Sequence, residues 1–183
     1  HSFVGNNWED LPDMAAARWG HCAVGALRNK IYILGGYRTR VLEAFDASLL
    51  EWKTDARLCD MPESRDDAAA VVLKNRYLVV IGGLDEEGEV TAGCLIYDCS
   101  INQWSSTLAS INMITARVCH TAAALDGKIV VAGGEGDARC LSSMECIHAR
   151  DVLEYAPLDY PLPQIYFNQV LQLGKVLLLS KHT

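Results

Sequence analysis

The chain has 183 residues, half of them apolar and 21% charged, enough for one domain with a hydrophobic core of its own. A net charge of −7 and the lack of any Lys/Arg cluster interleaved with aromatics argue against nucleic acid or an anionic membrane surface as partner. No apolar run approaches the 18 or more residues of a membrane helix.

Taken in order, the chain repeats itself. Trp8, in NNWEDLP, reads as the end of one unit, and a chain beginning at His1 reads as a piece of something longer. The first full unit opens with Arg18 in AARWGHCA and continues into an apolar strand a, His21–Leu27. A short Arg28-Asn29-Lys30 turn leads into strand b, KIYILGG, nearly all apolar as expected of a strand buried on both faces. Strand c is RVLEAFD, ending in Phe45-Asp46, and strand d centres on Glu51–Thr54 around Trp52.

The second unit has Arg65, strand a in DDAAAVVL, the turn Lys74-Asn75-Arg76, RYLVVIGG, Tyr97-Asp98 and Trp104. The third opens at Arg117 in TARVCHTA and runs through Asp126-Gly127-Lys128 to KIVVAGG. There it decays: His148-Ala149 replace the aromatic-Asp pair, and Tyr155 stands where a tryptophan is expected. QVLQLGKVLLLSKHT then reads as the start of a further unit, with Ser180-Lys181 in place of the glycines. The glycine pairs Gly35-Gly36, Gly82-Gly83 and Gly133-Gly134 are 47 and 51 residues apart, and an arginine precedes each by about 17 residues.

The glycines do not form a phosphate cradle. Such a cradle needs GxxxxGK[ST] or GxGxxG leading into a helix, whereas each pair here leads into a polar loop and another strand. Their place at the end of a crowded inner strand calls for a residue without Cβ, tolerant of positive φ.

Arginine, double glycine, aromatic-Asp and tryptophan, in order in two units, resemble the kelch repeat family. The resemblance implies an all-β fold, a kelch-type β-propeller with about three complete four-stranded blades plus two partial ones, an incomplete ring. The single segment 1–183 then divides into a partial blade 1–11, blades at about 12–56, 57–108 and 109–157, and a partial blade 158–183. Trp8, Trp52 and Trp104 are expected to fill space between blades. Arg18, Arg65 and Arg117 are expected to serve the repeat by bonding loop carbonyls. The ring is completed by missing blades or by another chain.

In such a blade the b–c loops and the d-to-a links share one face. The b–c loops are where the copies stop agreeing, and variable loops on a rigid scaffold are where binding resides. Tyr37, Arg38 and Arg40 suit an acidic or phosphorylated side chain. Asp85, Glu86, Glu87 and Glu89 suit a basic segment, and Glu135, Asp137 and Arg139 complete the candidate set.

Seven cysteines, odd in number and without a regular framework, point to free and mostly buried thiols in a reducing, cytoplasmic setting. The C-x₄-C and C-x₅-C spacings do not suit zinc, so no metal or cofactor is expected. His21 and His120 fall at equivalent repeat positions, and the adjacent Asp66 and Asp67 point to opposite faces of a strand. Neither pair has catalytic geometry, and no nucleophile elbow frames a serine. The expectation is a non-enzymatic module binding another protein or peptide. Kelch relatives imply substrate recognition for a cullin-type ubiquitin ligase, or scaffolding. The alternatives are a kelch-containing enzyme or specifier protein, or a structural subunit of a larger assembly.

Overall fold

The computed structural model describes residues 8–27, 29–53, 58–137 and 139–157, so the C-terminal partial repeat 158–183 and most of the N-terminal one lie outside it. Within these residues the chain forms a succession of antiparallel meanders. The first sheet is β1 (Cys22–Leu27), β2 (Lys30–Leu34), β3 (Leu42–Asp46) and β4 (Glu51–Trp52), side by side in chain order. The second is β5 (Ala69–Leu73), β6 (Tyr77–Ile81), β7 (Cys94–Asp98) and β8 (Gln103–Ser106), again in order. The third contains β9 (Thr121–Leu125), β10 (Lys128–Ala132) and β13 (Met144–His148). A small hairpin, β11 (Glu135–Gly136) with β12 (Arg139–Cys140), rises between the last two.

The third sheet departs from the repeat, for among the described residues it has no fourth strand. The chain turns after β13 into a short helix, α1 (Ala149–Leu153), whose Val152 is buried. The reason lies in the aspartates that end β3 and β7. Asp46 Oδ1 accepts the N–H groups of Ser48 and Leu49 at 3.0 and 3.2 Å, and Asp98 Oδ1 accepts that of Ser100 at 2.8 Å. These bonds close the turn into the fourth strand. His148 holds the same register position, opposite Lys128 as Asp46 is opposite Lys30, and it has no carboxylate to close that turn.

Two clusters make the core. Leu34, Leu42, Met61, Leu78, Val80, Leu95 and Tyr97 pack between the first and second sheets. Val71, Val79, Ile81, Cys94, Ile96, Ile129, Val131 and Val152 pack between the second and third. The strands β6 and β7 supply both clusters because alternate residues face opposite sides. Each fully buried Leu, Ile or Val contributes about 1.5–3 kcal/mol. Cysteine follows the strands rather than its general tendency to be buried. Only Cys22 and Cys94, which open β1 and β7, are buried, while Cys59, Cys119, Cys140 and Cys146 are exposed. The expected mostly buried set is therefore corrected. Burial pushes the Cys22 thiol up to about 12 and the Cys94 thiol up to about 11.

The a strands β1, β5 and β9 run beside one another. Backbone bonds link the segments that lead into them: Asp67 N–H donates to Gly20 O and Cys119 N–H to Asp67 O, both at 2.8 Å. These three residues hold equivalent repeat positions, and all have positive φ, +67°, +50° and +51°. The double glycines make a second set of links. Gly36 N–H donates to Arg65 O at 2.9 Å and Gly83 N–H to Arg117 O at 3.0 Å, each reaching the next blade. A Cβ on Gly35 would lie 2.4 Å from Arg65 O, and one on Gly82 2.7 Å from Arg117 O.

The arginine side chains hold the outer end of their own blade. Arg18 Nη1 donates to Gly35 O and Val41 O and its Nη2 pairs with Glu43. Arg117 donates to Gly133 O at 2.8 Å and Ser143 O at 3.2 Å and pairs with Glu145. Arg65 differs, because Leu95 stands where the other two blades have glutamate, opposite Val80 as Glu43 is opposite Ile33. Its Nη2 turns to Glu63, and its buried Nε and Nη1 have no hydrogen-bond partner.

The tryptophans divide likewise. Trp104 packs against the first core cluster, beside Tyr97, and Trp52 packs edge-on against Phe45 at 5.1 Å. Trp8 does not pack between blades among the described residues. It is fully exposed, and the C-terminal strands it was expected to join lie outside them.

Two predictions follow from this packing. Gly82→Ala must place a methyl against the Arg117 carbonyl at a φ of +61°, whereas Gly127→Ala, at a φ of +73°, meets nothing within 4 Å. Denaturant unfolding should show a loss of about 1–2 kcal/mol for Gly127→Ala, the left-handed penalty alone, and a distinctly larger loss for Gly82→Ala.

His120 is wedged between the glycine pairs of the second and third blades: a Cβ on Gly82 would meet its Cε1 at 3.0 Å, and one on Gly134 its Cβ at 2.7 Å. Both ring nitrogens are buried without a partner. Burial first, and then the Arg117 charge, lower its pKa from 6.5 to about 4. The unfolded chain therefore binds the extra proton first, and stability falls as pH drops from about 6.5 towards 4. In thermal melts His120→Leu should remove part of the decline between pH 7 and pH 5, and an unchanged decline would refute the assignment to His120.

Candidate interaction face

The b–c loops and the d-to-a links meet on one face through backbone bonds. Tyr37 N–H donates to Trp19 O at 2.9 Å, and Asp66 and Leu84 exchange bonds at 3.2 and 2.8 Å. Val118 and Glu135 exchange a third pair, both at 2.9 Å. Each b–c loop is thus held beside the link that enters its own blade, and in the first two blades the glycine bonds hold it beside the next link.

In the first blade this brings Trp19 against Tyr37, with ring centroids 4.5 Å apart and planes inclined by 17°. The Arg38 guanidinium sits over the Tyr37 ring at 5.1 Å. Trp19 is 59% exposed and Tyr37 46%, so the stack is a surface feature. The backbone beneath is tightly set: a Cβ on Gly36 would lie 2.8 Å from Trp19 O. Trp19 is absent from the candidates named from sequence, although it met their own criterion. Asp66 and Val118 occupy its position in the other repeats, so the copies disagree there too.

Arg40 does not stand free for an acidic ligand. It forms an ion pair with Glu86 of the neighbouring blade's loop, and Glu86 Oε1 also accepts Ser64 N–H at 3.1 Å. This half-exposed bridge contributes about 0–1 kcal/mol, but it joins the basic loop to the acidic one. Asp85 is likewise engaged, for its Oδ1 accepts the N–H groups of Glu87 and Glu89 at 3.0 and 2.9 Å and so shapes the loop. Glu87 and Glu89 are exposed. In the third blade Glu135 and Arg139 lie on the β11–β12 hairpin with Asp137 at its turn, all three exposed. Ala116 O would lie 2.5 Å from a Cβ on Gly136, so this hairpin is seated closely on its link.

The face is therefore a run of aromatic, basic and acidic groups on a hydrogen-bonded frame, suited to contact with another macromolecule. Asp66 is buried, and burial followed by the charge of Asp67 raises its pKa. His21 is exposed whereas its repeat equivalent His120 is buried. Among the described residues no group of three or more His, Cys, Asp or Glu side chains is placed to hold a metal ion, and no helix is long and apolar enough to cross a membrane.

Comparison with known proteins agrees with this geometry. The chain is 32% identical to mouse (Mus musculus) Kelch-like protein 35 over 133 residues, covering 70% of this chain and 22% of that protein. It is 29% identical to Beta-scruin of Limulus polyphemus over 117 residues, 58% of this chain and 12% of the relative. The chain thus spans at most about a fifth of these relatives. A solved structure of YjhT superposes with a TM-score of 0.60 at 21% identity, over 69% of this chain and 36% of that one, a likeness of fold. Residues 20–155 match the family model of the KLHDC2/KLHL20/DRC7 Kelch-repeats domain, and the chain belongs to the kelch repeat family.

Proposed function

We propose that this chain is a non-enzymatic protein-interaction module, and that the face carrying the b–c loops and d-to-a links receives a protein or peptide partner. The observation that carries the reading is the exposed stack of Trp19, Tyr37 and Arg38. Trp, Tyr and Arg dominate binding energy at protein interfaces because they offer large, rigid contact area with a polar handle. Here the stack is held by backbone bonds before any partner arrives, which lowers the ordering cost of binding.

The Arg40–Glu86 bridge and the exposed Glu87 and Glu89 adjoin the stack across the blade boundary. A partner with an apolar or aromatic anchor flanked by basic residues suits this order of groups. Use as a substrate adaptor or as a scaffold is compatible with it, as is a reducing cytoplasmic compartment for a chain with seven free thiols.

The test is a quantitative pull-down with three forms: wild type, Trp19→Ala/Tyr37→Ala, and Lys74→Glu on an a–b turn of the opposite face. Partners of the wild type and the Lys74 variant should agree, and the double variant should lose them by at least about tenfold, equivalent to 1.4 kcal/mol. Identical partner lists for all three forms would defeat the proposal.

A further inference from the structure

An open cavity of about 690 Å³ lies between the second and third sheets, beneath the link that joins them. Its position in the repeat identifies it. In the first blade the Trp52 ring lies against Phe45, and its Nε1–H donates to Pro12 O at 2.8 Å. In the second the Trp104 ring lies against Tyr97 at 5.0 Å, and its Nε1–H donates to Cys59 O at 2.7 Å. Pro12 and Cys59 stand at the same distance before the repeat arginine, and the third residue of that series is Ile111. Phe45 and Tyr97 lie opposite Ile31 and Leu78, and the third residue of that series, opposite Ile129, is Ile147.

Ile111 and Ile147 both line the cavity. It holds the position of the third tryptophan slot of the repeat, with Ile147 in the place of the aromatic wall and Ile111 in the place of the acceptor residue. The described residues after β13 run along the cavity without supplying a tryptophan: Val152 is buried in the core, Tyr155 packs against the same cluster, and Tyr155 O accepts a hydrogen bond from Ser105 Oγ.

Among the described residues the strand that should carry the aromatic is missing as well. β13 pairs with β10 on one side, and on its other side no described strand pairs with it. In the second blade the corresponding edge of β7 pairs with β8, extended by Thr107 N–H donating to Cys94 O at 3.0 Å. The residues of β13 in register with Cys94 and Ile96 are Met144 and Cys146, both exposed. Glu154, and Asp151 in an ion pair with Arg150, also line the cavity.

We propose that this site receives an extended segment of a partner protein, which adds to β13 as a fourth strand and places a tryptophan in the slot. The ring N–H donates to Ile111 O, main-chain bonds to β13 fix the register, and a basic residue beside the tryptophan meets Asp151 and Glu154.

The probe is a fluorescein-labelled peptide with the sequence of residues 100–108, SINQWSSTL, the strand segment that fills the equivalent slot one blade earlier. It is compared with a version carrying alanine for tryptophan and one carrying lysine for the serine after it. Fluorescence polarisation with the full chain should show saturable binding of the tryptophan peptide, at least about tenfold weaker binding of the alanine peptide, and tighter binding of the lysine peptide.

Ile114→Arg, on a cavity residue 92% exposed and so dispensable for folding, should weaken the tryptophan peptide by a similar factor. No saturable binding below about 1 mM, or equal binding of the tryptophan and alanine peptides, would overturn the proposal. Two further outcomes would assign the site to another occupant and equally overturn it. One is self-association of the chain in sedimentation, abolished by Ile114→Arg. The other is a large gain in peptide affinity in Tyr155→Ala, which would mean that the chain's own segment competes for the slot.

Discussion

One close approach organises this molecule: the double-glycine backbone of each blade against the arginine carbonyl of the next. The same oxygen does two things. Arg65 O accepts the Gly36 N–H at 2.9 Å, and it stands where a Cβ on Gly35 would need to be, 2.4 Å away. Arg117 O repeats both relations with Gly83 and Gly82. A side chain at the first glycine would push the blades apart and break the bond at the second. The positive φ of both glycines adds a second reason for the residue type.

From that contact the division of labour in the arginine follows. Arg117 shows it in full: its carbonyl receives the preceding blade, while its guanidinium ties together the strand ends of its own. Arg18 and Arg117 complete this with a glutamate on strand c that reaches back to the incoming link: Glu43 accepts Ala15 N–H, and Glu145 accepts Ile114 N–H. Burial works to raise the pKa of Glu145, yet its bonds to Ile114, Arg117 and Thr115 outweigh that and keep it low. The loop face inherits its rigidity from these groups, so a stack such as Trp19 on Tyr37 is positioned by backbone bonds rather than by its own modest attraction.

The architecture was legible because its determinants recur. Gly35 and Gly82 share one steric problem, Gly133 shares their positive φ, and three copies of a residue choice stand out where one would not. The details that vary were harder to read. Trp19 was hidden inside AARWGHCA, where the shared arginine and histidine drew attention and the one differing residue did not. Its partner Tyr37 lies 18 residues on, and only the bond between Tyr37 N–H and Trp19 O brings the two together. The Arg40–Glu86 pair joins residues of different blades, a proximity that no local pattern encodes. Burial of individual cysteines depends on which of them open a strand, and strand edges are the least certain feature of a sequence reading.

Among the described residues the third blade shows how a repeat can lack one strand and keep its fold. Its inner strands keep the apolar residues that pack on the second sheet, with Ile129 and Val131 buried. What has changed is confined to the outer part: no carboxylate at His148 to close the turn, no aromatic at Ile147, and no tryptophan beyond. These losses belong together. The aspartate closes the turn, the turn delivers the strand, and the strand carries the tryptophan onto the aromatic. Once the first is absent the others have no geometry to act in, and α1 can form instead, anchored by Val152. Among the described residues a sheet ended in this way leaves one edge of β13 unpaired beside an apolar slot, the arrangement that natural proteins generally cover.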